Sequence, residues 1–389
     1  MHLQLGEIST IVVSSPDLAK EILKTRDLAF VQRPKLIAPN ILAYDSTGIV
    51  FAPYGDYWRQ MRKICTSELL ILVEKLIQSI QGSLSLPLDV TKIAFSLVST
   101  FVSRAESVEM ASGFDVVDLF ASFKAIHFIT RTKARLQSMQ KKSDKILESI
   151  INEHQTNSIH AGMQDENLVD VLLRVQQSGY LEVPITQENV KAVIWLRHVC
   201  AGSDTSAGTI DWAMSELMKN PRVMKKAQSE IRETFKGKKR TYESDLQELS
   251  YLNSVIKETM RLHPPATLLI RECREACNIG GYEIPIKTNV LVNAWFIPER
   301  FHDSKYFDFN KVNSNNNNFE YIPFGGGRRM CPGILFGLAN IELPLAALLY
   351  HFNWELPNGM KPEDLDMTEA FGAVVARRNN LYLIPTPYI

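Results

Sequence analysis

Apolar residues recur every three or four positions over Asp56 to Leu70, Thr132 to Asn152, Thr186 to Met218, Arg222 to Thr234 and Asp245 to Leu262, the spacing of amphipathic helices with one buried stripe. A more uniformly apolar run, Ile334 to Tyr350, predicts a further helix. Short β-rich pieces at Thr10 to Val13, Gly281 to Ala294 and Leu381 to Ile384 predict small strands. The expectation is a mainly α fold with small β-sheets. No internal repeat stands out, and no linker rich in Pro, Ser or Gly splits the chain, so residues 1–389 read as a single large domain.

Several boundaries are written locally. Thr186 and Asn189 suit the first turn of the long helix. Asn220-Pro221 ends that helix and starts the next, because proline cannot continue an α ladder but fits a first turn. His263-Pro264-Pro265 stops the Asp245 to Leu262 helix in the same way and makes His263 a helix-end residue rather than a metal ligand. The asparagine run Asn313 to Asn318 reads as a solvated loop.

Charge changes the picture by exclusion. The 43 Lys and Arg balance 43 Asp and Glu, which argues against a broadly basic nucleic-acid binder. The five cysteines are odd in number and widely spaced, unlike a secreted disulfide framework, and Cys273 with Cys277 lacks the second Cys or His pair that a zinc site requires. Residues Met1 to Lys20 carry neither a basic start nor a long apolar run, and nothing elsewhere reads as a membrane span.

The chemistry concentrates in Phe324-Gly325-Gly326-Gly327-Arg328-Arg329-Met330-Cys331-Pro332-Gly333, between Tyr321-Ile322-Pro323 and the apolar helix. Three glycines let the backbone turn tightly and approach a flat ligand, and Pro332 sets the exit. A helix start, backbone N–H groups and two arginines beside Cys331 favour a thiolate. Phe324, Gly327, Arg329, Cys331 and Gly333 match all five fixed positions of F-x-x-G-x-R-x-C-x-G, and the chain thereby resembles the cytochrome P450 family.

Three further segments resemble the family's motifs in its order. Glu258-Thr259-Met260-Arg261 is similar to E-x-x-R, and Arg300 in Pro298-Glu299-Arg300-Phe301 would complete a structural Glu-Arg-Arg cluster with Glu258 and Arg261. Ala201-Gly202-Ser203-Asp204-Thr205-Ser206 resembles the oxygen-activation segment: Gly202 allows close approach to a macrocycle, Thr205 or Ser206 can bond a backbone carbonyl, and Asp204 with Thr205 would relay protons. Taken alone, the same residues make a small-residue packing patch. Trp58 and Arg62, one helical turn apart, resemble the indole and guanidinium that bind a heme propionate, with Arg271 and Arg329 in matching positions for the other contacts.

The resemblance implies the cytochrome P450 fold, heme b with Cys331 as the axial thiolate on iron, and insertion of one oxygen atom from O2 into a lipophilic plant metabolite such as a terpenoid, alkaloid or phenolic. It implies electrons from NADPH through NADPH-cytochrome P450 reductase, docked on Arg59, Lys63 and Arg328, and placement on the cytosolic face of the endoplasmic reticulum membrane. Substrate contacts are expected from Leu36 to Ile49, Ala266 to Ile270 and Phe371 to Val375. Against the family pattern, the membrane anchor, its hinge and the first β segment are expected before Met1, leaving this chain soluble or peripheral, and stretches are missing near residues 70–86 and 293–298. Trp195 to Cys200 puts charge where the family carries an apolar or acidic run. Two other readings fit the same residues: a silent, shortened heme-binding remnant, and a heme-thiolate isomerase or dehydratase that needs no reductase.

Overall fold

A computed structural model describes residues 1–66, 115–120, 122–123, 130–157, 168–179, 181–195, 203–236, 246, 248–295, 319–370, 372 and 374–388. It begins with a hairpin, β1 (His2–Leu5) against β2 (Ile8–Val13), turned at Gly6, whose φ of 61° an L side chain resists. β1 is a strand that the sequence reading did not place. β2 then pairs in parallel with a strand far downstream, Asn289–Asn293, which also pairs antiparallel with Leu268–Glu272, giving one four-stranded sheet.

The helices, in chain order, are α1 (Pro16–Lys20), α2 (Ile37–Leu42), α3 (residues 56–66), α4 (Val116–Leu119), α5 (Thr132–Asn157), α6 (Leu168–Ser178), α7 (Gln187–Trp195), α8 (Ser203–Lys219), α9 (Pro221–Thr234), α10 (Ser250–Leu262) and α11 (Ile334–His351). Thr186 Oγ1 accepts from the Asn189 amide at 3.3 Å and Asn189 Oδ1 from the Thr186 amide at 2.8 Å, a reciprocal box that starts α7. Asn220-Pro221 separates α8 from α9 as the sequence predicts. α10 begins at Ser250, later than the periodicity suggests, where Glu230 of α9 accepts from the amides of Tyr251 and Leu252 and so supplies the cap from another helix. The predicted continuity of α7 into α8 falls on residues 196–202, outside the described set.

The remaining strands are β3 (Leu268–Glu272), β4 (Cys277–Ile279), β5 (Tyr282–Ile284), β6 (Asn289–Asn293), β7 (Phe352–Glu355), β8 (Glu369–Ala370), β9 (Ala376–Arg377) and β10 (Ile384–Pro387). β4 and β5 turn at Gly280 and Gly281, both at positive φ. The last strand is shifted from the predicted Leu381 to Ile384, because β7 sets its register; it lies at a sheet edge, where Pro385 and Pro387 break no ladder.

Three apolar clusters hold these elements. α2, α3, α5, α6 and α7 share one around Met61, Leu136, Leu172 and Ile194. α8 to α11 share a second around Leu217, Ile231, Ile256 and Leu345. The main sheet and α1 share a third with Phe30, Phe319 and Ile322. α11 is long and apolar enough to cross a membrane, with mean hydropathy 1.5 over 18 residues, which the sequence reading did not anticipate. Its buried Ile341, Leu345, Ala346, Leu348 and Leu349 pack into the second cluster, the place of a core helix.

Candidate heme site

The cysteine loop is closed by its own backbone. Gly325 donates to the Ile322 carbonyl at 3.0 Å, Met330 to Gly327 at 3.0 Å and Cys331 to Phe324 at 2.9 Å, while Gly337 bonds Gly333 at 2.8 Å to begin α11. Gly327–Arg329 form one tight helical turn. Gly325 and Gly327 adopt φ of 73° and 67°. The glycines serve packing as well as turning: a Cβ on Gly327 would overlap the Leu23 carbonyl oxygen, and one on Gly326 would stand 3.3 Å from the Phe319 ring. At these two positions the close approach is to the protein's own backbone and core, not to a flat ligand.

Arg328 anchors this loop to the first part of the chain. Its amide and its Nη1 both donate to Asp27 Oδ2, at 3.0 and 2.9 Å, and Asp27 is buried. Arg329 turns inward, donating from Nε to Val31 O at 2.9 Å and from Nη2 to Ala52 O at 2.6 Å, with Nη1 buried and unbonded. Arg271, on β3, bonds the Ile270 carbonyl at 3.0 Å through Nη1 and leaves Nη2 buried and unbonded. Arg62, on α3, donates to the carbonyl of Met330, next to the cysteine, at 2.7 Å.

Trp58 sits among these cations. Arg329 lies 4.5 Å and Arg62 5.4 Å from its ring centroid, so the ring face offers partial compensation for two guanidiniums. Its indole N–H donates to the Ile49 carbonyl at 2.8 Å, so the face rather than the N–H meets the cluster. A fourth arginine, which sequence reasoning missed, completes the set: Arg33 Nε donates to Val50 O at 3.1 Å and Nη1 to the Ile270 carbonyl. An arginine before Pro34 in an apolar stretch was the available signal.

Cations dominate the electrostatics, with buried Asp27, held by Arg328, as the nearby opposing charge on Arg271 and Arg329. Burial, then mutual repulsion with Arg271 and Arg62, lowers Arg329 to about 9; burial lowers Arg271 to about 10 and Arg33 well below its ordinary value. No carboxylate among the described residues bonds any of these four arginines. Buried cations with orphaned donors, and a thiol one residue from Arg62's acceptor, fit a ligand that brings its own carboxylates, as heme brings two propionates. Cys331 itself departs from expectation. Burial pushes the thiol up, with the Gly333 amide and Arg62 pulling the other way, so the pocket alone does not favour a thiolate. Metal binding is what removes such a proton.

Arg261 grips Glu258 through Nε at 2.6 Å and Nη2 at 2.5 Å, a two-pronged pair within α10. Glu258 is 43% exposed, so the pair is only half buried. Arg300 lies outside the described residues, as does Gly202. In α8, Asp204 and Ser206 are buried, and Thr209 Oγ1 donates back to the Thr205 carbonyl at 2.8 Å. α8 packs on α11, the helix that leaves the cysteine loop. His263 is the helix-end residue the sequence predicts, with both ring nitrogens on carboxylates.

Of the expected substrate stretches, Ala38, Leu42 and Ala43 pack in the first cluster, and Leu36 is buried. Leu269 reaches the cysteine loop beside Gly325, and Val375 reaches α8 beside Gly208. Phe371 lies outside the described residues.

The family model described as "Cytochrome P450" matches residues 1–92 and 88–384. Cytochrome P450 71D8 of Glycine max is 53% identical over 438 residues, covering all of this chain and 86% of the relative. Premnaspirodiene oxygenase of Hyoscyamus muticus is 47% identical over 437 residues, with 100% and 86% covered. A zebrafish cytochrome P450 solved with abiraterone superimposes with TM-score 0.78 at 24% identity, covering 100% of this chain and 95% of that one, and shows the shared fold.

Proposed function

The chain belongs to the cytochrome P450 family, a heme-thiolate monooxygenase lineage, and from that premise we propose that it oxidises a lipophilic plant metabolite of the terpenoid class with electrons from NADPH-cytochrome P450 reductase. The observation that carries the reading is the cluster of Arg33, Arg62, Arg271 and Arg329 at the Cys331 loop: Arg271 and Arg329 are buried with one orphaned donor each, and none of the four is bonded to a carboxylate among the described residues. When bound through Cys331, heme iron supplies the activation of O2.

This chain's residues then have separable tasks. Arg62, Arg271 and Arg329, with Arg33, hold the propionates. The Phe324 carbonyl fixes the Cys331 amide and hence the position of the sulfur. Asp204 and Thr205 on α8 hold and pass protons. Apolar side chains such as Leu269 orient substrate and exclude water. Arg59, 52% exposed beside Asp56, and Arg328, 45% exposed beside Asp27, form with Lys63 a basic face for an acidic reductase surface. The premnaspirodiene oxygenase likeness supports a terpenoid, and the family likeness supports placement on the cytosolic face of the endoplasmic reticulum.

The test is the absorption of the reduced, carbon monoxide-treated protein, followed by NADPH-dependent oxidation of a sesquiterpene panel that includes premnaspirodiene. A strongly red-shifted Soret band, lost in Cys331→Ser, is expected. A band at the histidine-like position in the unaltered chain overturns the thiolate assignment; the red-shifted band without oxidation of any sesquiterpene overturns the substrate class.

A further inference from the structure

Asp204, Gly208, Trp212 and Glu216 lie four residues apart and form one row along α8. Three contacts of this row meet outside the heme cluster. The Val375 carbonyl stands 3.9 Å from where a Cβ on Gly208 would lie, and it accepts from the Trp212 indole at 3.3 Å. The Val375 amide donates to the Pro265 carbonyl at 3.0 Å. Next to Pro265, His263 stacks on Trp212 with ring centroids 3.8 Å apart and planes 3° apart.

Both nitrogens of His263 face carboxylates: Nε2 is 2.9 Å from Glu216 Oε1 on α8, and Nδ1 is 3.3 Å from Glu369 Oε1 on β8. A carboxylate only accepts, so imidazole can bond both only when both nitrogens carry protons. The three side chains are 12%, 23% and 25% exposed, enclosed enough for the charges to matter. Glu216 and Glu369 are the charged groups bonded to the ring; Arg377 stands across from Glu369 in the β8–β9 pair, and on the helix that ends at His263, Arg261 is engaged by Glu258.

We propose that His263 is a positioning residue: as a cation clamped between Glu216 and Glu369 and seated on Trp212, it locks the β8–β9 hairpin, through Val375, against α8 one turn beyond Asp204 and Thr205. This rests on the monooxygenase reading for its consequence, that the clamp sets which carbon of the substrate meets the oxygen-activating side. The clamp itself is a property of the folded chain.

Hydrogen exchange on the full heme-loaded protein tests the clamp. In the unaltered chain the peptide containing Val375 should be protected. His263→Phe, which keeps the stack but neither bond, should exchange there about tenfold faster, while α10 stays protected. Glu369→Gln removes one charge at an edge strand and serves if His263→Phe fails to fold; it should speed exchange in the same peptide. Equal exchange at Val375 in the unaltered chain and in the folded variants overturns the clamp. With a sesquiterpene that the protein oxidises, the product ratio should shift in Glu369→Gln at little cost in kcat, and an unchanged ratio overturns the role in positioning. If no sesquiterpene is oxidised, the substrate reading falls while the exchange result still decides the clamp.

Discussion

At the scale of the residue, Asp118 shows how burial writes pH dependence. Its Oδ1 accepts from the Ile37 amide at 2.7 Å, but Oδ2 is buried and unbonded, and burial raises the carboxyl to about 6 despite that amide. A carboxyl whose folded value lies above its unfolded one costs stability as pH rises through the unfolded value, and the cost is complete above the folded one. Chemical denaturation should therefore show the chain losing about 2 to 3 kcal/mol from this group between about pH 4 and about pH 6. Asp118→Asn should flatten that slope. Nothing in the sequence marks Asp118, which earns its environment only because α4 docks on the start of α2. Arg33 was hidden for the same reason: its bond to the Ile270 carbonyl spans 237 residues. Arg62, Arg271, Arg329 and Cys331 were legible because motif spacing carries them; how the arginines share Trp58 and leave Nη atoms orphaned was not.

At the scale of the element, the cysteine loop is held by shape. Gly327→Ala would force both a positive φ of 67° on a side chain and an overlap with Leu23, where the backbone forms part of the wall. A loss of at least about 2 kcal/mol in unfolding free energy is expected, together with weaker heme retention, and titration with denaturant checks it. Helix existence was readable wherever a long apolar stripe ran between a cap and a proline, as in α9, whose buried Met224, Ala227 and Ile231 follow the stripe. α6 was missed although its apolar positions keep a helical period, because it is only eleven residues long, and Leu172 and Val169 are buried in a cluster shared with α5 and α7 that the sequence does not display. β1 was missed because it has mixed burial along His2–Leu5 and only its pairing with β2 identifies it.

At the scale of the molecule, the heme cluster joins three distant stretches: Arg33 to Arg62, Arg271 on β3, and the loop from Phe324 to Gly333. Their cations repel one another until an anionic ligand arrives, so cofactor loading should act as a fold-wide fastener. The expected signature is a rise in Tm on loading with heme and a smaller rise with the heme whose two propionates are methyl esters, the shortfall reflecting charge-assisted bonds of about 1.5 to 3 kcal/mol each. Equal rises measured by calorimetry would show that the arginines answer to something other than propionate.

The parallel pairing of Thr10 with Asn289 bears on how the chain is born. At about 5 to 20 residues per second, β2 leaves the ribosome about 15 to 60 s before the strand beside which it finally lies. Throughout that interval an apolar ribbon with an open hydrogen-bonding edge is on offer to any neighbour. A nascent chain of this design is expected to recruit an escort at β2, and crosslinking of stalled ribosomes shorter and longer than residue 293 is where that escort would be caught and then seen to leave.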